Sequence, residues 1–290
     1  MGKKDKEKLY GETGFEGFYS QVYGERWPLL KESLYKPTVY FKLSFGQSED
    51  YFLDPGSICA ALSLKVKGSK RLLDLCAAPG GKTLCVSSVM DEDAVLYSNE
   101  RSGERKARLV KVVSSVLPDS IKERVVTSCS DGATWCRRES EAYDSILLDA
   151  PCSSERHVLL DPKYLKDWSP SRIKTLSMEQ WALLSSAWRL LKKDGCMVYA
   201  TCALSPQEND AVIEKLLKKF DDVEVQDFAF VSSVFAENLK DTKASFTSES
   251  GIRLEEVFSK AEHTQFGFHI LPDAALGAGP LFFCLLHKKS

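Results

Sequence analysis

Long apolar runs are missing from this 290-residue sequence, although 43% of its residues are hydrophobic. No stretch reaches the roughly 18 apolar residues that a membrane span requires. The first eight residues lack the apolar core of a secretory signal, and Asp5 and Glu7 argue against a transit peptide. The composition therefore predicts a chain with a sizeable core, no membrane partner and a cytoplasmic location.

Paired cysteines and excess basic charge are missing as well. The nine cysteines are scattered without any C-x-x-C pair, so the sequence indicates neither a zinc site nor a disulfide framework. The net charge is −2 and the pI is near 6.2, which gives no general attraction for nucleic acid. Any RNA-binding surface must therefore be a local basic patch, or be supplied by a protein partner.

What the sequence does contain is an alternation of strand and helix patterns. Strand patterns lie at 71–76, 94–98, 124–128, 143–149 and 195–201, helical patterns at 83–90, 103–116, 131–138, 171–192 and 206–219, and shorter strands at 223–227 and 280–287. This order predicts an α/β fold with a mostly parallel sheet. The predicted organisation is a flexible tail (1–9), a short helical N-terminal extension (10–64) and a main domain (65–290) with an insertion near 232–265.

The first of these strands runs into a tight turn of small residues, Cys76-Ala77-Ala78-Pro79-Gly80-Gly81-Lys82. A strand, a tight turn and a helix bind nucleotide-like ligands in α/β sheets, because the turn brings the backbone close and the helix start presents free N–H groups. Cys76 stands where a P-loop requires Gly, and the G-x-G-x-x-G fingerprint is absent. The turn therefore predicts either a site for a nucleoside that carries no polyphosphate, or an ordinary connection between a strand and a helix.

Acidic residues follow the second and third strands. Glu100 lies 20 residues after Gly80, where an acid can accept hydrogen bonds from both hydroxyls of a ribose. Asp131 can accept a hydrogen bond from an adenine amino group or cap the next helix. Lys82 can steady a cofactor carboxylate or the substrate, or can be a surface lysine.

Two cysteines follow the fourth and fifth strands. Cys152 lies in Asp149-Ala150-Pro151-Cys152-Ser153, and Cys202 follows Thr201. Because neighbouring strands end at the same rim of a parallel sheet, both thiols are expected there. A single cysteine at such a position would be interpreted as a buried structural residue, whereas two cysteines at the same rim favour a catalytic role. Ser205–Glu208 predicts a capped helix start, with Glu208 reaching back to the cap.

These motifs, in this order, resemble those of the Nop/Sun-domain (Fmu/Sun-type) RNA 5-methylcytosine methyltransferases. The string from Asp74 to Thr83 is close to their DLCAAPGGKT, and D-A-P-C-S and T-C-x-L-S-P-x-E-N are close to their fourth and sixth motifs. FYSQVYGERW near the start and GPLFFC near the end resemble the mitochondrial-type branch. The sequence departs from the usual pattern at Glu155-Arg156-His157, which bears on substrate choice. The resemblance implies a Rossmann-like methyltransferase sheet.

The resemblance also implies a cofactor and roles for particular residues. It implies S-adenosyl-L-methionine, with binding residues Cys76, Ala77, Ala78, Pro79, Gly80, Gly81, Lys82, Glu100, Arg105, Asp131 and Asp149. Cys202 would add to carbon 6 of cytosine, because carbon 5 alone is a poor nucleophile. Cys152 would promote release of the methylated base. Asp149 would hold the edge of the base, most usefully as a neutral acid, which burial favours.

The expected activity is methylation of cytosine carbon 5 in RNA, with ribosomal RNA favoured over transfer RNA. Two alternatives stay open: methylation of DNA or of another base, and a catalytically inactive RNA-binding ribosome assembly factor. Both thiols together favour RNA, because the related DNA enzymes use the Pro-Cys thiol and lack the Thr-Cys one. Arg156 and His157, which follow Cys152, are candidates for contact with RNA phosphate, although His157 can equally be an ordinary loop residue. For an RNA groove the sequence offers Trp168 as a stacking surface, with the basic residues Lys65, Lys67, Lys70, Lys163, Lys166, Arg172 and Lys174.

Overall fold

A mostly parallel sheet forms the centre of the protein, in a computed structural model that describes residues 10–290. The predicted tail at 1–9 lies outside these residues. The strands are β1 Phe41–Ser44, β2 Tyr51–Leu53, β3 Arg71–Asp74, β4 Val95–Asn99, β5 Val125–Ser128, β6 Tyr143–Asp149, β7 Leu191–Thr201, β8 Val223–Val225, β9 Ser245–Ser248, β10 Glu262–His263, β11 Phe268–Ile270 and β12 Leu281–Lys288.

The helices connect and cover these strands. They are α1 Gly11–Tyr23, α2 Trp27–Tyr35, α3 Pro55–Leu62, α4 Gly81–Val89, α5 Gly103–Val116, α6 Asp119–Lys122, α7 Glu155–Leu160, α8 Pro162–Lys166, α9 Pro170–Leu190, α10 Asp210–Lys219, α11 Phe228–Asp241 and α12 Leu254–Phe258. Short 3₁₀ segments cover Gly24–Arg26 and Gly132–Arg137. Within the described residues, no helix combines the length and apolar character needed to cross a bilayer.

The order of strands in the main sheet places a ligand site. The parallel part runs β7-β6-β3-β4-β5. The chain leaves β3 toward β4 and β5, and then returns to the other side of β3 with β6 and β7. Such a reversal opens a crevice at the carboxyl ends of the two central strands. The crevice therefore lies beyond Asp74 at the end of β3 and Asp149 at the end of β6.

The remaining four of the nine strands in the main sheet pair in antiparallel fashion. Strand β12 lies between β7 and β11 and also pairs with β8, and β10 continues beyond β11. The α/β class and the mostly parallel sheet predicted from sequence are confirmed. The fold therefore covers the edge of β7 with the last strand of the chain, which buries β7 on both sides.

Alternating side chains on the central strands supply two apolar layers. On β3, Leu72 packs into one layer and Leu73 into the other. On β7, Val198 and Tyr199 alternate in the same way. This is the period of two that a pleated strand imposes. Helices α3 and α4 cover one face, while α9 and α10 cover the other, so the sheet is buried on both faces as a parallel sheet requires.

The N-terminal helices form a third apolar cluster with the helices that follow Cys152. Phe15 and Tyr19 of α1 and Trp27 of α2 pack there against Leu165 and Trp168. Trp168 is only 1% exposed and its ring lies 5.3 Å from that of Phe15. The expectation that Trp168 offers a stacking surface for RNA is therefore wrong, because the N-terminal helices cover it.

A second, three-stranded sheet joins two distant parts of the chain. Its order is β2-β1-β9, and all pairs are antiparallel. Strands β1 and β2 lie in the predicted helical extension, and β9 lies in the predicted insertion near 232–265. The 10–64 segment is thus not entirely helical. The predicted domain boundaries themselves stay a prediction.

Most predicted elements match the observed ones within a few residues. Two differ, one in its type of helix and the other in where its helix begins. The 131–138 pattern forms a 3₁₀ segment rather than an α-helix. The helix expected at 206–219 begins only at Asp210. Ser205 Oγ accepts a hydrogen bond from the Gln207 N–H, but Glu208 turns into the protein instead of back to the cap. The predicted capping box is wrong, because the carboxylate of Glu208 accepts a hydrogen bond from the Ser153 N–H instead.

Candidate active site

The turn after β3 is held in one conformation by hydrogen bonds from neighbouring elements. The Ala77 N–H donates to the Asn99 carbonyl at 2.7 Å, and the Thr83 hydroxyl donates to Asp74 Oδ2 at 2.6 Å. Gly80 has φ 121°, and a Cβ there would meet Val112 Cγ1 at 3.1 Å. Glycine is therefore required, and the backbone of the turn stays open toward the crevice.

Glu100 presents an unsatisfied carboxylate oxygen beside this turn. The residue is 3% exposed, and its Oε1 accepts a hydrogen bond from the Ser102 N–H at 2.9 Å. Its buried Oε2 has no hydrogen-bond partner among the described residues, although Arg105 Nη1 lies 3.4 Å away. A buried carboxylate oxygen without a donor is costly. A ligand hydroxyl at this position would satisfy it.

Arg105 and Asp131 flank Glu100 in the same cavity. Arg105 Nη2 donates to the Ala78 carbonyl at 2.7 Å, so the arginine joins helix α5 to the turn. Asp131 is exposed, and its carboxylate accepts a hydrogen bond from the Ala133 N–H at 3.0 Å. The structure thus gives Asp131 the capping role that the sequence offered, and its second oxygen stays open for a ligand.

Asp149 and Lys82 form an ion pair at the centre of the crevice. Lys82 Nζ lies 2.7 Å from Asp149 Oδ2 and 3.1 Å from the Ser57 hydroxyl. Burial is the largest single effect and lowers the pKa of Lys82, but nearby negative groups, chiefly Asp149, together outweigh it and raise the pKa above its ordinary value. The lysine is therefore an ammonium at neutral pH.

The side chain of Asp149 is 31% exposed, and its Oδ2 accepts a hydrogen bond from Lys82 Nζ at 2.7 Å. The neutral-acid role expected for Asp149 stays a prediction. Asp149 and Lys82 together offer one acceptor and one donor to the crevice.

The two cysteines expected at the rim meet in the structure. Asp149 pairs with Ala200 in neighbouring strands β6 and β7, which brings the following loops together. The Sγ atoms of Cys152 and Cys202 lie 2.9 Å apart, and both thiols are free. The hydrogen bond with Cys202, together with burial, raises the pKa of Cys152 well above its ordinary value. Cys152 is therefore a neutral thiol at pH 7.

A buried polar network fixes the two cysteine loops to each other. Glu208 Oε1 accepts hydrogen bonds from the Ser153 N–H at 2.9 Å and from Gln180 Nε2 at 3.0 Å. The Ser153 hydroxyl contacts Glu155 and Glu208, and Glu155 Oε2 accepts a hydrogen bond from the Leu204 N–H at 3.0 Å. Burial, reinforced by the charge of Glu155, raises the pKa of Glu208 to about 7.

This network was not predicted from the sequence. It explains why Glu208 does not cap helix α10, because its carboxylate is committed to the loop of Cys152. Tyr19 of α1 also donates to Glu155, so the N-terminal helices reach the same network. Apart from the Ser153–Glu155 contact, the partners lie 28 to 136 residues apart in the sequence, and no local spacing marks them. Glu155 lies three residues after Cys152, and Glu208 lies three residues after Ser205. Such spacings are too common to indicate that the two glutamates meet.

A cleft of about 680 Å³ opens over these groups. Its lining includes most of the predicted site residues, namely Cys76, Ala78, Pro79, Lys82, Arg105, Asp149, Cys152 and Cys202. Ala77 and Gly81 line a smaller adjoining cavity with Lys82 and Asp149. Arg156, His157, Tyr40 and Leu160 line the outer part, and the last two are exposed at 54% and 55%. The volume suits a nucleoside-sized group.

The predicted basic groove is only partly supported. Lys65, Lys67 and Lys70 precede β3 and lie at the amino-terminal edge of the sheet, opposite the cysteines. Lys67 and Lys70 pair there with Glu237 and Asp93, so their assignment to the groove is wrong. The remaining basic residues are exposed on α8 and at the start of α9, close to the Cys152 loop: Lys163, Lys166, Arg172 and Lys174.

Comparison with known families agrees with this geometry. Residues 61–268 match the model of the family described as 16S rRNA methyltransferase RsmB/F. The chain belongs to this family. The resemblance found in the motifs is thereby confirmed.

Several curated relatives share this domain. The chain is 32% identical over 255 residues to the 5-cytosine rRNA methyltransferase NSUN4 of Xenopus tropicalis, covering 84% of the chain and 57% of that protein. It is 34% identical over 193 residues to the mitochondrial tRNA (cytosine(34)-C(5))-methyltransferase of Danio rerio, covering 66% of the chain and 51% of that protein. These matches agree with the mitochondrial-type branch. The chain spans about half to three-fifths of these relatives' length.

Solved structures show the same fold. A methyltransferase homologue from Pyrococcus horikoshii superposes with a TM-score of 0.69 over 97% of the chain and 96% of that chain, at 22% identity. NSun6 from Pyrococcus horikoshii with SFG superposes with a TM-score of 0.62 over 85% of the chain and 55% of that chain, at 18% identity. The Rossmann-like methyltransferase sheet is therefore confirmed.

The cofactor of this methyltransferase site is S-adenosyl-L-methionine, and the residues present fit it. The open turn at Gly80 can approach a nucleoside closely, and the free oxygen of Glu100 can accept hydrogen bonds from ribose hydroxyls. Arg105, Asp131 and Lys82 surround these two points. Which atoms each residue contacts stays a prediction.

Proposed function

We propose that this protein methylates carbon 5 of cytosine in RNA through a covalent Cys202–carbon 6 adduct that Cys152 helps to release. The observation that supports this most directly is the 2.9 Å approach of the two thiols. They lie in the same cleft as the cofactor turn and the Asp149–Lys82 pair. A module that only binds RNA has no use for two thiols at this position.

The chemistry requires activation of the cytosine ring. The Cys202 thiolate adds to carbon 6, and the electrons of the carbon 5–carbon 6 bond make carbon 5 nucleophilic. S-adenosyl-L-methionine, when bound, supplies the methyl group. The carbon 5 proton then leaves, the S–C6 bond breaks, and its electron pair returns to the Cys202 sulfur.

The Asp149–Lys82 pair matches the edge of cytosine. The carboxylate of Asp149 can accept a hydrogen bond from the N4 amino group, and the ammonium of Lys82 can donate one to N3. The ammonium also stabilises the negative charge that the ring acquires when the thiolate adds. Uracil presents the opposite pattern of donor and acceptor at these atoms. The pair therefore favours cytosine.

RNA is the proposed substrate class, with ribosomal RNA favoured by the relatives. The outer cleft offers Arg156, His157 and the exposed Tyr40 to a strand whose target base is turned into the site. The basic residues of α8 and α9 lie next to it. Because the chain carries a net charge of −2, we also propose a protein partner that adds basic surface. The predicted cytoplasmic location stays a prediction.

The test is transfer of a labelled methyl group from S-adenosyl-L-methionine to ribosomal RNA, transfer RNA and DNA, followed by nucleoside analysis. The expected product is 5-methylcytidine in RNA, absent for Cys202→Ala. Cys129→Ala is the matched control, because Cys129 is an exposed free cysteine outside the cleft, and it should retain full activity. An active Cys202→Ala protein would favour methylation of DNA or of another base. Binding of RNA without turnover by the wild-type protein would favour the assembly factor.

A further inference from the structure

The hydroxyl of Ser154 lies within reach of both thiols. Ser154 Oγ is 3.3 Å from Cys202 Sγ and 3.6 Å from Cys152 Sγ. Its backbone is left-handed, with φ 54° and ψ 61°, a conformation that residues with a side chain adopt only at a cost. The Ser154 carbonyl accepts a hydrogen bond from the Val158 N–H at 3.1 Å. This anchors the residue to the start of α7 and holds the hydroxyl over the thiols.

The environment leaves few donors for the Cys202 sulfur. Cys152 is a neutral thiol and can direct its S–H toward Cys202. The Lys82 ammonium donates to Asp149 and Ser57, and within the described residues it makes no hydrogen bond to the Cys202 sulfur. Glu208 and Glu155 lie behind Cys152 and are committed to Ser153 and the Leu204 N–H. Among residues 10–290, the Ser154 hydroxyl is the oxygen donor that contacts the sulfur directly. The same hydroxyl also lies 3.4 Å from the Cys152 carbonyl, which competes for its proton.

We propose that Ser154 is a further catalytic residue, whose hydroxyl donates a hydrogen bond to the Cys202 sulfur whenever that sulfur is a thiolate. A hydroxyl donates one proton and can rotate between acceptors. A hydrogen bond to an ionised group favours that ionised form. The bond acts twice in the cycle: before Cys202 adds to carbon 6, and again when the S–C6 electron pair returns to sulfur.

The step needs no proton from Ser154. During addition, the thiolate electron pair forms the S–C6 bond and the hydroxyl keeps its proton. During release, the carbon 5 proton passes to water in the cleft while the S–C6 pair returns to sulfur. The role of Ser154 during turnover rests on the proposed function. Stabilisation of the Cys202 thiolate by Ser154 is independent of that function, because it can be measured on the protein without RNA or cofactor.

The first test is the pH dependence of Cys202 alkylation by iodoacetamide, read from the mass of the peptide that contains Cys202. In Ser154→Ala the midpoint should rise by about one pH unit, equivalent to roughly tenfold slower alkylation near pH 7. Ser154→Gly is the matched variant, because it also removes the hydroxyl but accepts the left-handed backbone. Both variants should shift equally. An unchanged midpoint overturns the proposal, and a shift in only one variant assigns the effect to the backbone instead.

The second test separates this proposal from the proposed function. In a Cys152→Ala background, addition of Ser154→Ala should lengthen the lifetime of the RNA adduct, because the leaving thiolate loses a donor. If methylation proceeds normally while the alkylation midpoint stays unchanged, Ser154 is not catalytic and the proposed function stands. If the midpoint shifts but no variant forms an adduct or methylates RNA, the role of Ser154 stands and the proposed function fails.

Discussion

At the scale of single residues, Glu100 has an unused hydrogen-bonding capacity that a ligand can fill. Its Oε2 is buried without a donor among the described residues, and ribose hydroxyls are the donors that the cofactor provides. The Glu100→Gln substitution keeps the size of the side chain but replaces one acceptor with a donor. We expect cofactor binding to weaken roughly 10- to 100-fold, since a hydrogen bond to a charged group contributes roughly 1.5–3 kcal/mol.

Isothermal titration with S-adenosyl-L-methionine measures this effect. The matched control is Glu104→Gln, an exposed acid on the next helix whose side chain is 79% exposed. Cofactor affinity in this control should equal that of the wild-type protein. Equal affinity in Glu100→Gln would remove Glu100 from the cofactor site.

Site residues that belong to a local sequence motif could be predicted from the sequence. Residues whose role depends on partners far away in the sequence could not. Cys152 and Cys202 were predicted to meet because they follow neighbouring parallel strands, and the family resemblance implied a role for Asp149. The roles of Ser154 and Glu155 depend on which distant atoms pack against them. The contact between Lys82 and Asp149 was not predicted either, because no local spacing reveals that the lysine reaches that carboxylate.

At the scale of elements, the turn between β3 and α4 depends on a backbone that only glycine tolerates. In Gly80→Ala, the new Cβ would lie 3.1 Å from Val112 Cγ1 and 3.2 Å from Leu109 Cδ1, at φ 121°. Strain and overpacking together should lower the free energy of unfolding by about 1–3 kcal/mol. Because the turn must shift, cofactor affinity should also fall.

Urea denaturation and cofactor titration check both effects. Gly103→Ala is the control, because a Cβ at the start of α5 meets nothing within 4 Å. This substitution should change the unfolding free energy by no more than about 0.5 kcal/mol. Wild-type stability and affinity in Gly80→Ala would show that the turn does not need glycine.

Element boundaries were predictable where local chemistry decides them. The five parallel strands and the long helix α9 follow from apolar periodicity. The Gly-Gly turn follows from its run of small residues. Helix α10 begins four residues later than the Ser-Pro-Gln-Glu pattern predicts, because the buried Glu208 serves the Cys152 loop instead. The cover of Trp168 by α1 and α2 could not be predicted either, since it depends on docking of the N-terminal helices.

At the scale of the whole molecule, the buried Glu208 couples stability to pH. Its pKa is raised from an ordinary 4.5 to about 7 by burial and by Glu155. Between these values the folded state holds a proton that the unfolded chain has lost, so the free energy of unfolding falls as pH rises. Glu208→Gln cannot titrate, and its unfolding free energy should fall less between pH 5 and pH 8.

Urea denaturation at several pH values measures the difference in slope. The expected difference between the two proteins is on the order of 2 kcal/mol over this range. Asp74 has a pKa of about 7 and acts in the same direction, while His269 has a pKa of about 3 and acts oppositely. Both are present in wild type and variant, so they cancel in the comparison. Parallel slopes would show that Glu208 does not titrate in this range.

The central claim is that Cys202 forms the bond to RNA and Cys152 is needed to break it. The measurement that tests it most directly is adduct trapping with Cys152→Ala, using cellular RNA and S-adenosyl-L-methionine on a denaturing gel. The proposed mechanism predicts a covalent protein–RNA band in Cys152→Ala that disappears in Cys152→Ala/Cys202→Ala. An adduct that persists without Cys202, or no adduct while the wild-type protein methylates RNA, would contradict it.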